Sequence, residues 1–482
     1  MTKNKRKYFT TTLPYVNARP HIAHAREFVQ ADVFSRFYQE MGFDTFLNTG
    51  TDEHGLKIFR KAQEEGLDAR EYGKIQAQHF IDLAEQLNMK YDAFIRTADE
   101  KHVKAAQEFW KRCDENGCIY KKAYKIKYCV GCELEKTDSE LVDGHCPDHP
   151  NQEIEIIDEE NYFFKFSAFQ EKLLDFYKKN PDFVKPEKRF REIISFVENS
   201  LEDFSISRVK NKMPWGVEVP NDPEQVMYVW FDALVNYIST INWPQDEENF
   251  KKWWPVVQFC GKDNLRQQTA MWQAMLMAAS LPTSEMVFVN GFVTVDGQKM
   301  SKSIGNVIDP MEMIEKFGTD ATRYLLVSIG SFGEDSDTSW EKLIEKYNAD
   351  LANGIGNLVS RIVTLYQKTD KKLFNEEEIS SRMAGSSKGE IVKLLEEGKL
   401  ENILVSIKIR IAYLDGKIEE RKPWELIKTD IELFEEEMAE LVKVLFEIAL
   451  MIKPFMPKTS EKIQKSLINK EKINLFPRFL EK

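Results

Sequence analysis

The chain of 482 residues, 42% hydrophobic and 30% charged, has the composition of a soluble globular protein and is long enough for about two to four domains. Its formal charge of −12 excludes a nucleic-acid binder that relies on bulk positive charge, so any RNA contact is expected on local basic patches such as 453–482. The sequence lacks the apolar core of a signal peptide and any run of the roughly 18 apolar residues that a membrane helix needs, which predicts a cytoplasmic protein.

Predicted strands and helices alternate through the first quarter of the chain. A β-prone stretch at 7–12 leads through a polar turn into a predicted helix at 21–41, and a second strand at 44–48 ends in the polar run 49–55. Helical spacing of apolar residues then fills much of 57–118. Because open α/β sheets bind ligands at the carboxyl ends of their parallel strands, the polar run is a candidate ligand site.

The segment 121–219 interrupts this alternation. It holds a cluster of cysteine and histidine, a β-like acidic run at 153–166 and a helical stretch at 168–178. We interpret it as an insertion that splits a nucleotide-binding sheet, whose pattern resumes with 228–232 and a strand at 256–260.

The second half of the chain becomes helical. A helix at 265–279 and a strand-like run at 286–295 complete the α/β pattern, and from about 337 onward apolar residues recur every three or four positions. The predicted helices are 340–368, 388–419, 424–450 and 458–467. The acidic, Ser- and Gly-containing stretch 374–388 is predicted to be an exposed connection.

Two short motifs suggest a polyphosphate ligand. A basic loop after the strand-like run carries Lys299 and Lys302 among small residues, and such a loop can close over phosphates. An isolated lysine pair is usually a solvated patch. Far upstream, however, His21 and His24 fall on one face of the first turn of the predicted helix, where free backbone N–H groups and the helix dipole favour anions. Surface histidines or a zinc pair are the alternatives for the two histidines.

A metal site is predicted from the spacing Cys129-x2-Cys132-x13-Cys146-x2-His149. Two close ligand pairs separated by about a dozen residues suit a tetrahedral zinc site with no open position, which is structural and not catalytic. Buried structural cysteines are the alternative, but so regular a spacing is improbable by chance. His145 is a second candidate for the fourth ligand, disfavoured because it adjoins Cys146.

Taken together, Pro20-His21-Ile22-Ala23-His24 and Lys299-Met300-Ser301-Lys302-Ser303 resemble the HIGH and KMSKS signatures of class I aminoacyl-tRNA synthetases. In its details the whole chain resembles methionyl-tRNA synthetases of the single zinc-knuckle type. The resemblance implies an α/β Rossmann-like catalytic domain split by a zinc-knuckle connective insertion and followed by an all-α anticodon-binding helix bundle. The implied divisions are the first half of the catalytic domain at 1–119, the connective insertion at 120–225, the second half at 226–290, a KMSKS and stem-contact region at 291–345, and the anticodon-binding domain at 346–482.

The resemblance also implies an activity and a set of site residues. Methionine would be activated with ATP and Mg²⁺ to methionyl-adenylate and then transferred to tRNA(Met). The residues implied for catalysis are His21, His24, Lys299 and Lys302, which bind ATP together with Ser301 and Ser303. Those implied for methionine are Leu13, Tyr15, Asp52, Trp230, Ala233, Tyr237 and Gln268. Asn357, Arg361 and Trp424 are implied for the anticodon.

The sequence departs from the family pattern at four positions. Ala23 stands where glycine is usual, Leu234 where proline is usual, and Gln267-Gln268 where the family has Phe-His. Gln268 can still supply a neutral hydrogen-bond donor. We expect a monomer, because the chain lacks the appended domain through which some relatives dimerise.

Two alternatives stay open at this point. A class I synthetase for another apolar amino acid is one, although the roughly 100 residues of the insertion are few for the hydrolytic editing domain of those enzymes. The other is a catalytically silent relative that only binds tRNA.

Overall fold

The computed structural model describes residues 5–132, 134–136, 140–199, 201–300, 306–380 and 388–480. Its strands are β1 (Arg6–Thr10), β2 (Asp44–Thr51), β3 (Ala93–Arg96), β4 (Ile119–Cys129), β5 (Leu134–Glu135), β6 (Glu155–Phe164), β7 (Val184–Lys185), β8 (Phe204–Ser205), β9 (Ser207–Val209), β10 (Glu218–Val219), β11 (Asp222–Met227), β12 (Val256–Gly261), β13 (Met286–Asn290), β14 (Val293–Val295), β15 (Gln298–Lys299) and β16 (Ser336–Thr338).

Its α-helices are α1 (Ile22–Glu40), α2 (Leu56–Glu64), α3 (Ala69–Gln86), α4 (Glu100–Glu115), α5 (Gln170–Lys179), α6 (Glu187–Glu198), α7 (Val229–Ala233), α8 (Asn236–Ser239), α9 (Glu247–Trp253), α10 (Trp272–Ala278), α11 (Pro310–Phe317), α12 (Thr319–Ser328), α13 (Trp340–Lys346), α14 (Asn357–Tyr366), α15 (Lys388–Glu396), α16 (Leu400–Arg421), α17 (Pro423–Thr429), α18 (Ile431–Ile452) and α19 (Pro457–Asn469). Two π-helical segments, Gln267–Met271 and Tyr347–Gly356, precede α10 and α14. In the part of the chain that the structure describes, no helix is both long and apolar enough to cross a membrane.

The main sheet is parallel, with strand order β3-β2-β1-β12-β13-β7. The central pair, β1 and β12, joins strands that lie on opposite sides of the insertion in the sequence, with Phe9 opposite Val257. Both residues are buried on one face of the sheet in the apolar cluster that includes Phe34 of α1, while Tyr8 and Val256 are buried on the other face in a second cluster. The predicted α/β Rossmann-like sheet, split by an insertion, is therefore confirmed.

The insertion is more closely integrated with the sheet than the sequence indicates. Its strand β7 adds to the outer edge of β13, with Val184 opposite Val287. Helices α5 and α6 place Leu173 and Ile193 in the same apolar cluster as Val256 of β12. Burial of these apolar helix faces against the sheet explains why the inserted segment does not stand apart as a separate body.

A long hairpin carries the cysteine cluster to α2, where the Lys57 side chain donates to the Gly131 carbonyl at 3.1 Å. Strands β4 and β6 pair antiparallel from Ile119 opposite Phe164 to Tyr128 opposite Glu155. Cys129 ends β4, and the other three predicted metal ligands lie in the chain between the two strands. The insertion also forms a three-stranded sheet of order β10-β11-β9, which leads into α7.

The C-terminal helices pack on the α/β part of the molecule through a buried arginine. Arg323 on α12 lies 2.7 Å from a carboxylate oxygen of Asp32 on α1. Its other N–H groups donate to the backbone carbonyls of Leu87, Pro454 and Phe455. Because a buried guanidinium is stable only when its donors are all engaged, this residue fixes α12, α1 and the turn after α18 together.

The predicted C-terminal helices exist, but the first, 340–368, is kinked at Gly354 and two others are divided. The predicted helix 388–419 is α15 followed by α16, separated where Gly398 has a φ of +71°. The predicted helix 424–450 is α17 followed by α18, because the Asp430 side chain caps α18 by accepting from the Leu433 N–H at 3.0 Å.

The prediction of an exposed connection at 374–388 is wrong in its first part. Phe374 and Ile379 are buried in the core of the helical region. The stretch 381–387 lies outside the described residues. The acidic residues around these two apolar side chains dominate the composition and hide the apolar pair from a reading of the sequence.

Candidate active site and metal centre

The two histidines of the upstream motif form the N-terminal cap of α1. The His21 Nδ1 accepts a hydrogen bond from the Ala23 backbone N–H at 3.3 Å, and the His24 Nδ1 accepts from the His21 N–H at 3.2 Å. The rings stack with centroids 3.9 Å apart. Because each Nδ1 is an acceptor, the proton of each neutral imidazole is on Nε2, which is left as a donor.

Burial keeps both imidazoles neutral. It lowers the pKa of His21 to about 4 and lowers the pKa of His24 well below its usual value, the latter with a further contribution from His21. At neutral pH the helix end therefore presents two uncharged Nε2–H donors, and anions are also favoured by the helix dipole.

The lysine loop starts at the same edge of the sheet. β13 is parallel to β1 with β12 between them, so the carboxyl ends of β1 and β13 lie on the same side. Helix α1 is tied to that region because Gln30 accepts from the Asn290 side chain at 2.8 Å and Arg26 donates to the Gly330 carbonyl at 2.5 Å. The chain then forms the β14–β15 hairpin, where the Lys299 backbone lies opposite Thr294.

Three residues of the lysine-loop motif are not placed. Ser301, Lys302 and Ser303 lie outside the described residues, as does the side chain of Lys299. Their contact with phosphate stays a prediction.

The residues implied for methionine fall into two groups. Tyr15 and Asp52 form a parallel bridge after β1 and β2, and the Asp52 N–H donates to the Pro14 carbonyl at 2.9 Å. Leu13, which precedes Tyr15 by two residues in the sequence, is buried. This group places a carboxylate at the carboxyl ends of the two strands, where an ammonium group can bind it.

The second group belongs to α7, α8 and the π-helical segment. Trp230 and Ala233 are three residues apart on one face of α7, and Tyr237 lies on α8, the short helix that follows. The Gln268 Nε2 donates to the Tyr237 hydroxyl at 2.7 Å. Leu234, where the family has proline, closes α7 with its backbone N–H on the Trp230 carbonyl, a hydrogen bond that proline cannot make.

A buried carboxylate that sequence reasoning missed links the two groups. Asp232 accepts from the His54 Nδ1 at 3.0 Å and contacts the His102 Nε2 at 3.4 Å, and His102 also contacts the Ser239 hydroxyl. Burial by itself would raise the pKa of Asp232, but His54 and His102 outweigh it and hold the pKa below its usual value. The signal in the sequence is position alone: His54 follows Asp52 by two residues, and Asp232 lies between Trp230 and Ala233.

The four predicted metal ligands come together at the end of the β4–β6 hairpin. Their ligand atoms, from Cys129, Cys132, Cys146 and His149, all lie within 4.8 Å of one another. The Cys132 Sγ is 3.4 Å from the Cys146 Sγ and 3.2 Å from the His149 Nδ1. A tetrahedral zinc ion holds sulfur and nitrogen ligands about 3.5 to 3.8 Å apart. The observed separations, from 3.2 Å to no more than 4.8 Å, lie on both sides of this range, and three thiols with one imidazole are a donor set that suits zinc.

Local backbone features shape this centre. A Cβ at Gly131 would lie 2.4 Å from the His149 ring, so glycine lets the Cys129–Cys132 turn approach the histidine closely. His145 is exposed, and its backbone closes a turn with Val142. The structure therefore favours His149 over His145 as the fourth ligand.

Known proteins of one family resemble this chain over most of its length. A family model described as tRNA synthetases class I (M) matches residues 7–154 and 149–363. The methionine–tRNA ligase of Thermotoga maritima is 39% identical over 482 residues, covering 96% of this chain and 76% of the relative. That of Thermosynechococcus vestitus is 46% identical over 373 residues, covering 76% of this chain and 70% of the relative.

The chain belongs to the class I methionyl-tRNA synthetase family.

Solved structures agree with this assignment to the synthetase family. Mycobacterium tuberculosis methionyl-tRNA synthetase in complex with methionyl-adenylate superposes with a TM-score of 0.89 at 34% identity, covering 98% of this chain and 97% of that one. The free-state structure of the same enzyme superposes with a TM-score of 0.83 at 30% identity, covering 99% of both chains.

The helical region of this synthetase places the three anticodon candidates on two elements. Asn357 and Arg361 share one face of α14, and Trp424, which is 39% exposed, begins α17 after Pro423. Two carboxylates that sequence reasoning missed hold Arg361.

These carboxylates belong to α16. The guanidinium donates to Asp415 at 2.6 Å and also to Glu419. They are four residues apart and therefore project from one helix face, a pattern that is visible in the sequence but common on exposed helices.

Proposed function

We propose that the chain is a methionine–tRNA ligase. The methionine carboxylate attacks the α-phosphorus of ATP, the bond to the β-phosphate oxygen breaks, and methionyl-adenylate and pyrophosphate result. A hydroxyl of the terminal adenosine of tRNA(Met) then attacks the carbonyl carbon, and AMP leaves. The proposal rests on one observation in a chain of the methionyl-tRNA synthetase family. Two neutral imidazole donors lie at the edge of the sheet where β13 leads into the lysine loop.

The phosphates of ATP are assigned to the α1 end and the lysine loop. The Nε2–H groups of His21 and His24 donate to phosphate oxygens, and these bonds strengthen as charge builds up at the α-phosphorus. Lys299 and Lys302 neutralise the β- and γ-phosphates, with Ser301 and Ser303 as further donors. Mg²⁺ enters with ATP as part of the substrate.

The amino acid is assigned to the two groups that Asp232 joins. Asp52 holds the ammonium, while Leu13, Tyr15, Trp230, Ala233 and Tyr237 surround the side chain. Aromatic and apolar walls suit a polarizable thioether. Gln268 reaches the substrate through Tyr237.

The cysteine cluster is assigned to one structural zinc ion. Three thiolates and one imidazole leave no position for substrate, so the ion stabilises the end of the hairpin and takes no part in the reaction. Binding of such an ion contributes on the order of 10 kcal/mol to local folding.

The tRNA anticodon is assigned to Asn357, Arg361 and Trp424. An exposed indole can stack on a splayed base, and a guanidinium held by two carboxylates is oriented before the base arrives. Arg361→Ala should lower the kcat/KM for tRNA charging by about 5- to 150-fold, as for other base-contacting arginines. ATP–pyrophosphate exchange should not change, since it does not involve tRNA.

A matched control is Lys368→Ala, which removes an exposed cation beyond the same helix. Equal losses in both variants would indicate a general electrostatic effect and would count against base reading by Arg361.

We also propose that the chain acts as a monomer, and light scattering of the purified protein tests this.

Amino-acid-dependent ATP–pyrophosphate exchange across the twenty amino acids tests the proposal directly. Methionine alone should support rapid exchange. Exchange with leucine, isoleucine or valine but not methionine would favour another apolar specificity. Binding of tRNA without any exchange would favour the catalytically silent relative.

A further inference from the structure

Three buried side chains form a hydrogen-bonded series beside the proposed methionine site. Gln258 on β12 donates from Nε2 to the Gln268 Oε1 at 2.6 Å, and Gln268 donates from its own Nε2 to the Tyr237 hydroxyl at 2.7 Å. All three side chains are buried. We call them the glutamine–tyrosine series.

The scaffold around the series is fixed by other contacts. The Tyr8 hydroxyl donates to the Tyr237 backbone carbonyl at 2.8 Å, and the Gln273 side chain donates to the Gln268 carbonyl at 2.8 Å. Tyr237 and Gln268 are therefore held on positioned backbone, and Gln258 is held in the central strand β12, so the orientation of the amides is what remains to be set. Gln268 itself lies in the π-helical segment before α10.

The direction of the hydrogen bonds decides what Tyr237 offers. Gln258 gives an N–H to the oxygen of the Gln268 amide, so the nitrogen of that amide faces Tyr237 and donates to it. The phenol oxygen is then an acceptor on that side. The Asn236 side chain also lies at this hydroxyl, where it favours the ionised phenol as a donor does. Among the described residues, no hydrogen bond has the phenol as its donor, so that proton is available to a bound ligand. Burial raises the pKa of Tyr237, which keeps the phenol protonated.

We propose that Gln258 is a specificity-determining positioning residue, which fixes the Gln268 amide so that Tyr237 donates its hydroxyl proton to the thioether sulfur of methionine. The inference rests on the proposed function, because it takes methionine as the substrate and Tyr237 as a wall of its pocket. It explains how two uncharged amides serve where the family has a histidine. A thioether sulfur is a weak acceptor, whereas a methylene group accepts nothing.

Norleucine is the probe that isolates this hydrogen bond, because it has the shape of methionine with a methylene in place of sulfur. The measurement is the ratio of kcat/KM for methionine to kcat/KM for norleucine in ATP–pyrophosphate exchange. Gln258→Met removes the first donor with little change in shape and should lower the ratio by about two- to tenfold, the range for one hydrogen bond. Tyr237→Phe should lower it similarly.

The double variant separates positioning from simple packing. Gln258→Met combined with Tyr237→Phe should lower the ratio no further than Tyr237→Phe alone, because Gln258 acts only through the phenol. Additive losses would overturn the proposal. The matched control is Gln30→Met, which removes another buried glutamine, on α1, and should leave the ratio unchanged.

The outcomes also separate this inference from the proposed function. A protein that does not activate methionine would refute both. If methionine is activated and the ratio is the same in the wild type and Gln258→Met, only the inference fails. Should Gln258→Met not fold, two other measurements test the inference. Gln268→Leu should lower the ratio as Gln258→Met would, and a wild-type ratio near one would contradict donation to sulfur.

Discussion

The proposed phosphate end and the proposed methionine pocket of this site are built in opposite ways. At the phosphate end, His21 and His24 are held by backbone groups within three residues of each other. In the pocket, by contrast, Asp232 reaches His54 across 178 positions of the chain. The proposed zinc centre resembles the first type, since its candidate ligands span 129–149. A site built from residues that are close in the sequence can be predicted from their spacing. The geometry of a site built from distant residues depends on the whole fold.

Removal of the metal tests whether the zinc centre is as local as its spacing indicates. Cys146→Ser should abolish the stoichiometric zinc measured by mass spectrometry and remove about 10 kcal/mol of local folding free energy. Proteolysis should then cut within 129–154 first. His145→Ala, at the exposed neighbour, should retain one zinc ion per chain. Zinc loss in both variants would contradict the assignment of His149.

Truncation of the second histidine tests the phosphate end. His24→Ala removes one Nε2–H donor and should lower kcat for ATP–pyrophosphate exchange by about 10²- to 10³-fold, the usual loss for one transition-state donor. His24→Gln, which keeps a neutral N–H, should recover part of the rate. A KM effect for ATP without any change in kcat would show that the contact is uniform binding instead.

Asp232→Asn tests the long-range link in the pocket. Loss of the carboxylate should loosen the two groups that bind methionine and raise the KM for methionine about tenfold, with a loss of about 1–3 kcal/mol in stability. The KM for ATP should not change, because the phosphate end is held by its own contacts. Asp114→Asn, at an exposed position of α4, is the control. An equal rise in both KM values would mean that the two ends are not independent.

The pH dependence of stability tests the histidine cap. The pKa of His21 is about 4 in the folded chain and near 6.5 in the unfolded chain. Between these values the unfolded state binds more protons than the folded state. The free energy of unfolding is therefore highest above pH 6.5 and decreases as the pH falls toward 4. His21→Asn, which can still cap a helix, should reduce this slope by up to about 1.4 kcal/mol per pH unit in urea titrations. An unchanged slope would contradict the buried neutral ring.

The same contrast explains what the sequence predicted. The split parallel sheet, the helix after the first strand and the cysteine cluster follow from apolar periodicity and ligand spacing, which are local properties. The edge strand β7 is only two residues long, and the π-helical turn around Gln268 has no signature of its own in the residues. Asp232, Asp415 and Glu419 were missed because an acidic residue in a helix is ordinarily solvated, and only the fold shows what each one faces.

The central pair of the main sheet also sets a condition on how the chain is made. Strand β1 ends at Thr10 and its neighbour β12 begins at Val256, so about 245 residues must leave the ribosome before the two can pair. At a synthesis rate of about 5–20 residues per second, one edge of β1 stays unpaired for roughly 12–50 s. During that interval the nascent chain carries an incomplete sheet with an open edge, so chaperone access matters most before the second half of the protein has been synthesised.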